Sequence, residues 1–145
     1  MADIKVKYGT TTSLTISLNS LANGSIVASS DVVNTTDLFV DVLVELVIAD
    51  VAEAGNKQVL IYASSSVDET NFSEAVAANR QQMAYVGAVS VNGTGPHRSR
   101  AFSVAAAFGG VIPPEFRIVA YNDSGVALAS SGNSAQYRGV HFQTV

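Results

Sequence analysis

A chain of 145 residues with eight basic and twelve acidic side chains, a net charge of −4, fits one domain, and at that length folding buries roughly 68–70% of the unfolded chain's surface, enough for a core without staples. The lack of cysteine excludes disulfides, thiolate chemistry and cysteine-ligated zinc. The few lysines and arginines form no basic stripe, so nucleic acid is not an expected partner.

The start, MADIKVKYGT, is too polar for a secretory signal, which needs an apolar core of about 7–15 residues. Residues 1–12 read as a flexible arm carrying Lys5, Lys7 and Tyr8, and residues 13–145 as a single domain. Leu14, Ile16 and Leu18 alternate with Ser and Thr as in a half-buried strand, ended by Asn23-Gly24. Ser25 to Ala28 has the length of a short edge strand.

From Asp37 to Ala49 the even positions Leu38, Val40, Val42, Val44, Leu46 and Ile48 are all apolar. The odd positions mix Asp37, Asp41 and Glu45 with Phe39, Leu43 and Val47, an amphipathic face open to partial cover. Helix competes over Asp37 to Ala54, because carboxylates at i, i+4 and i+8 also share a helix face. The valines of this run, stiff at χ1, favour the strand. Its apolar-rich stretch falls well short of the roughly 20 residues that span a bilayer, so no membrane span is expected.

Val59 to Ala63 is a further strand, with Ser64 to Ser66 as its frayed end. Ser66 to Gln82 reads as a long loop with room for one helical turn. Tyr85 to Val91, Arg100 to Phe108, Phe116 to Tyr121 and Tyr137 to Thr144 complete the strands. Gly109-Gly110 allows positive φ where the chain leaves a sheet, and Pro113-Pro114 removes two amide donors, which forbids an inner strand there. Asn122-Asp123-Ser124-Gly125 suits a hairpin turn. Seven or eight short strands with turns between them predict an all-β fold, an antiparallel two-sheet β-sandwich that is jelly-roll-like. An immunoglobulin-like strand order predicts nearly the same pattern.

Chemistry is sparse. His97 and His141 have no carboxylate at ligand spacing, and His141, between Val140 and Phe142, is expected on a strand's outer face. No G-x-S-x-G elbow, P-loop or G-x-G-x-x-G occurs. On a strand, i and i+4 carboxylates stand roughly 13–14 Å apart. That is beyond the roughly 5–10 Å of a glycosidase pair, and beyond one calcium ion with ligands at about 2.3 Å. Asp68-Glu69-Thr70-Asn71 offers oxygens to calcium without the spacing of a known loop. Tyr62, Tyr85 and Tyr121 are in strand phase where core use is at least as natural as sugar stacking, and Tyr8 and Tyr137 are the remaining platforms. No catalytic, cofactor-binding or metal-binding residue is expected, and no cofactor.

The chain resembles the head decoration (cement) proteins of tailed bacteriophages, small virion proteins built on a β-sandwich or jelly roll. The resemblance runs through TSLTISLNSLANGS, NTTDLFVDVLVELVI, VLIYASSSVDETNFSEA and AFGGVIPPEFRIVAYNDSGVAL. It implies a non-enzymatic structural protein, made in the host cytoplasm and resident on the virion's capsid surface. Its implied partners are the major capsid protein and itself, as a homotrimer. Lys5, Lys7 and Tyr8 of the arm and Asp37, Asp41 and Glu45 of the long strand become the expected capsid or subunit contacts. A glycan- or receptor-binding module of a tail or head fibre, and a head–tail joining or tail-tube subunit, are the alternatives.

Overall fold

The computed structural model describes residues 3–52 and 56–145. Among them are ten strands: β1 (Ile4–Ser13), β2 (Ile26–Ala28), β3 (Val32–Val33), β4 (Asp41–Ile48), β5 (Gln58–Ser66), β6 (Ala84–Ser90), β7 (His97–Arg98), β8 (Phe102–Ser103), β9 (Glu115–Asp123) and β10 (Ser134–Thr144). Two single-turn helices, α1 (Asn34–Asp37) and α2 (Val104–Ala107), and a 3₁₀ segment, Ala77–Gln82, accompany them.

One sheet (A) runs β1-β10-β4-β7, with β8 also on β4; the other (B) runs β2-β9-β5-β6, with β3 also on β9. All the pairings are antiparallel. Because β2 and β3 lie end to end along β9, and β7 and β8 along β4, each pair is one interrupted edge strand. Eight strands result, ordered 1-8-3-6 in one sheet and 2-7-4-5 in the other. This is the double Greek key of a jelly roll, which answers the topology question that periodicity left open.

The core is what the alternation demands. Val42, Val44, Leu46 and Ile48 of β4 are fully buried, and from the facing sheet so are Val59, Ile61 and Ala63 of β5 and Phe116, Ile118 and Ala120 of β9. The odd positions of β4 are half-buried, as an amphipathic outer face should be.

Several segments depart from expectation for local reasons. Leu14 and Leu18 are buried in the expected alternation, yet residues 14–18 pair in no ladder. Here the chain crosses between sheets: the Leu14 N–H donates to the Ala135 carbonyl at 2.9 Å, and the Thr15 carbonyl accepts from the Ser30 N–H at 2.8 Å. Arg100 to Phe108 is a strand only at β8. The alanines that follow favour helix, and the Ser103 hydroxyl caps α2 by accepting from the Ala106 N–H at 3.0 Å. Ser64 to Ser66 are no frayed end; they lie inside β5 opposite Glu115 to Arg117, with Ser64 and Ser66 buried.

The Asn122–Gly125 stretch turns the chain, but β9 and β10 belong to different sheets, so it makes no hairpin. Gly109 and Gly110 do take positive φ, 78° and 106°. The Gly110 N–H closes α2 on the Ala105 carbonyl at 2.7 Å, and the two prolines precede β9 outside the ladder.

Tyr62 and Tyr121 lie half-buried and Tyr85 exposed, all on the outer face of sheet B and none in the core. Tyr62 and Tyr85 meet edge-on at 5.6 Å, and the Arg80 guanidinium of the 3₁₀ segment stacks on Tyr121 at 4.1 Å. The long loop thereby covers this face, and Val119 on it is wholly buried.

Candidate interaction surface

Residues 4–12, expected as a free arm, form an edge strand. β10 pairs with β4 only through Val140, whereas its pairing with β1 continues to Thr144. Ile4–Lys7 and His141–Thr144 therefore extend past β4 as a two-stranded ribbon, with Tyr8 at its base. Residues directly opposite in an antiparallel pair share a face. Ile4, Val6 and Tyr8 stand opposite Thr144, Phe142 and Val140; Lys5 and Lys7 stand opposite Gln143 and His141.

One face is thus apolar, with Ile4 70% exposed, Val6 55%, Tyr8 58% and Phe142 63%. The other is basic. What sets this phase is a bulge: Gly9 and Thr10 together oppose Gly139, which shifts the register by one residue. Regular pairing carried on from Thr11↔Arg138 would turn the apolar residues to the opposite side.

The base of the ribbon is anchored. The Phe39 ring lies directly over Gly139, so close that a Cβ there would come within 2.0 Å of it. The same ring packs against His141 with centroids 4.9 Å apart. Alternation puts His141 on the face of Gly139 and Tyr137, opposite to the outer face expected for it. His97 pairs with Ile48, at the far end of β4 from His141, so the two histidines share no site.

The candidate contact residues are sorted by the fold. Lys5, Lys7 and Tyr8 come together on the ribbon, the lysines on one face and the tyrosine on the other. Asp37 ends α1 and lines a shallow recess at the ribbon's base with Phe39 and His141. It is separated from β4 by Leu38, whose φ of 53° breaks the strand, so the acidic row does not continue across it. Asp41 accepts from the Val42 and Ala105 N–H groups at 2.7 and 3.0 Å. Glu45 accepts from Arg98 and from Gln136. Asp41 and Glu45 are therefore engaged within the fold.

Two carboxylate clusters lie elsewhere. Asp68 accepts from the Asn71 backbone and side chain, both at 2.8 Å, from the Thr70 N–H at 3.0 Å and from the Ser66 hydroxyl at 2.9 Å. These donors, Asn71 foremost, hold its carboxyl far below the usual range. On sheet B, Asp31 is paired with Arg117, which stacks on Phe72 at 3.7 Å. The Arg117 hydrogen bond lowers the Asp31 pKa, while burial and then the neighbouring Asp31 raise that of Glu115. Among the described residues no group of His, Asp or Glu is arranged to hold a metal ion.

Asn122 is the polar residue that sequence reasoning overlooked. Fully buried, it donates to the Leu21 and Val126 carbonyls at 2.8 and 2.7 Å and accepts from the Ser124 N–H and hydroxyl. Its strand phase, alternating with Phe116, Ile118 and Ala120, was the available signal.

Comparison with known proteins adds nothing to this geometry: no family model matches the chain, and no curated protein or solved structure matches it significantly.

Proposed function

We propose that this chain is a non-enzymatic virion structural protein, a decoration (cement) protein that binds the major capsid protein on the outside of a phage head and acts as a homotrimer. The observation that carries the reading is the ribbon's apolar face. Four large apolar side chains, each more than half exposed, adjoin one another there, and contiguous exposed patches mark interaction sites. Val67 and Val111, also exposed, stand singly in loops. The sequence resemblance supplies the partner class. The jelly roll is compatible with it, since capsid and lectin domains both use that fold, but a fold alone assigns no role.

The test is co-sedimentation of the purified protein with assembled, undecorated shells of its cognate capsid protein, together with its mass by light scattering. Stoichiometric binding and a trimer support the reading. Failure to bind intact shells overturns it, and a large ring points to a joining or tail-tube subunit.

One observation favours a second reading, a glycan-binding module. Tyr85, 55% exposed, and Arg100 line an open groove of ≈ 430 Å³ between β6 and the β7–β8 edge, together with Ser90 and Ser99. Aromatic and polar groups converging on a groove suit a sugar. Glycan-array binding that is lost in Tyr85→Ala would establish it.

A further inference from the structure

We propose that the free edge of β1 takes up an extended segment of a partner chain in which acidic and apolar residues alternate, adding it to sheet A as a new edge strand. The inference rests on reading the ribbon as the partner-binding surface and specifies what it binds and how.

The backbone supplies the first argument. Asp3 and Val145 exchange both hydrogen bonds, at 3.2 and 2.9 Å. Hydrogen-bonded and non-hydrogen-bonded pairs alternate along an antiparallel ladder. Lys5↔Gln143 and Lys7↔His141 are therefore hydrogen-bonded pairs, while Ile4, Val6 and Tyr8 direct their N–H and C=O groups away from β10. β1 is the terminal strand of its sheet, with no described strand on that side. Three alternate residues thus present backbone donors and acceptors along an open edge, the requirement for strand addition.

Side chains then dictate the occupant. The same three residues place their side chains on the apolar face, and Lys5 and Lys7, with no salt-bridge partner among the described residues, project from the other. An added strand meets both faces at once. Its residues beside Ile4, Val6 and Tyr8 must be apolar, and those beside Lys5 and Lys7 acidic, because cross-strand neighbours of opposite charge attract and like charges repel.

A second copy of β1 fits badly. Antiparallel pairing of the free edge with itself sets Ile4 against Tyr8, Ile4 against Val6, or Val6 against Tyr8. These registers place Lys5 opposite Lys7, Lys5 opposite Lys5, and Lys7 opposite Lys7 respectively. The first and third of these registers are therefore opposed by charge, whereas the second, with Ile4 against Val6, offsets its Lys5 pair by setting Lys7 opposite Asp3. Parallel pairing through this edge reverses the face of one copy, so its lysines lie beside the apolar residues of the other. Lysine on an edge strand is a recognised guard against self-association, and here it leaves the edge open to an acidic partner.

The probe is a nine-residue peptide alternating glutamate with valine or threonine, titrated into the ¹⁵N-labelled full chain and followed by amide shifts and hydrogen exchange. The Ile4, Val6 and Tyr8 amides are expected to shift and to gain protection. Lys5→Glu/Lys7→Glu should weaken the peptide at least tenfold. Val6→Pro, which removes one outward N–H and no ladder bond to β10, should weaken it as well. A peptide with lysine in place of glutamate should not bind. The proposal is overturned if those amides stay unmoved, or if the lysine variant or lysine peptide binds equally well. The same variants are assayed on undecorated shells. Shell binding without a peptide response overturns the edge and leaves decoration standing; a peptide response without shell binding supports the edge and overturns decoration.

Discussion

Gly139 shows how much a single missing side chain fixes. Any Cβ at this position would meet the Phe39 ring at 2.0 Å, and that ring cannot simply lift away, because Asn34 clamps the Phe39 backbone. Its side chain donates to the Phe39 carbonyl at 3.1 Å and accepts from the Phe39 N–H at 2.7 Å. Gly139→Ala should therefore cost about 1–3 kcal/mol of overpacking in urea unfolding, partly restored by adding Phe39→Leu. Equal stability of mutant and parent would mean that the ring is not seated there. Glu115 gives a residue-scale prediction in pH. Its carboxyl is raised, first by burial and then by Asp31 and Glu69, above its ordinary 4.5. A carboxyl with a raised folded pKa favours the folded state only where it is protonated, so its contribution is lost as pH rises through the interval above 4.5. Glu115→Gln should melt higher than the parent at pH 7, and the two melting curves should converge below the ordinary carboxylate range. A gap that is constant with pH would assign the effect to something other than this charge.

The edge strands use one device twice. Where β2 gives way to β3, the Ser29 N–H donates to the Ile118 carbonyl at 2.8 Å, and the Ser29 hydroxyl accepts from the Ile118 N–H at 3.0 Å. Where β7 gives way to β8, Ser99 does the same to Leu46, at 2.9 and 3.0 Å. Each hydroxyl then donates to the carbonyl of the next residue, Ser30 or Arg100. A buried strand amide has thus found a side-chain oxygen in place of the missing ladder carbonyl. Ser29→Ala and Ser99→Ala should each cost about 1–3 kcal/mol, the penalty of an unpaired buried amide. The two should add in the double mutant, since they lie in different sheets; strong non-additivity would mean that the interruptions act as one unit. These serines also mark where sequence reading stopped. The central strands β4, β5 and β9 were legible because burial on one face enforces a period of two. A serine that replaces a backbone carbonyl leaves no period, so β2 and β8 fell within segments read as strands while their continuations β3 and β7 went unread. The bulge at Gly9–Thr10 was hidden for the same reason: register is a property of the pair, and one strand's sequence does not contain it. Lys5, Lys7 and Tyr8 were picked out as contacts, but their assignment to opposite faces of a paired ribbon depends on β10.

At the scale of the whole molecule, the buried core and the proposed binding surface occupy separate parts of the jelly roll. The buried core draws nothing from Ile4–Tyr8 or from His141–Thr144; its nearest members in the chain are Leu14 and Val140. Residues outside the core cost little when removed, and for a chain of this size each kcal/mol lost lowers the melting temperature by only about 2–4 °C. The ribbon's exposed apolar face therefore contributes little to folding, while its exposure to water invites association. Deleting residues 1–8, which keeps Thr11–Ser13 paired with Gln136–Arg138, should leave a folded sandwich that melts within a few degrees of the parent. The same deletion should abolish co-sedimentation with undecorated shells, because it removes the free edge, both lysines and three of the four apolar side chains at once. Unchanged shell binding would move the contact surface elsewhere on the sandwich. Loss of the folded state would show that β1 stabilises the sheet it borders, in which case its apolar face could no longer be assigned to a partner.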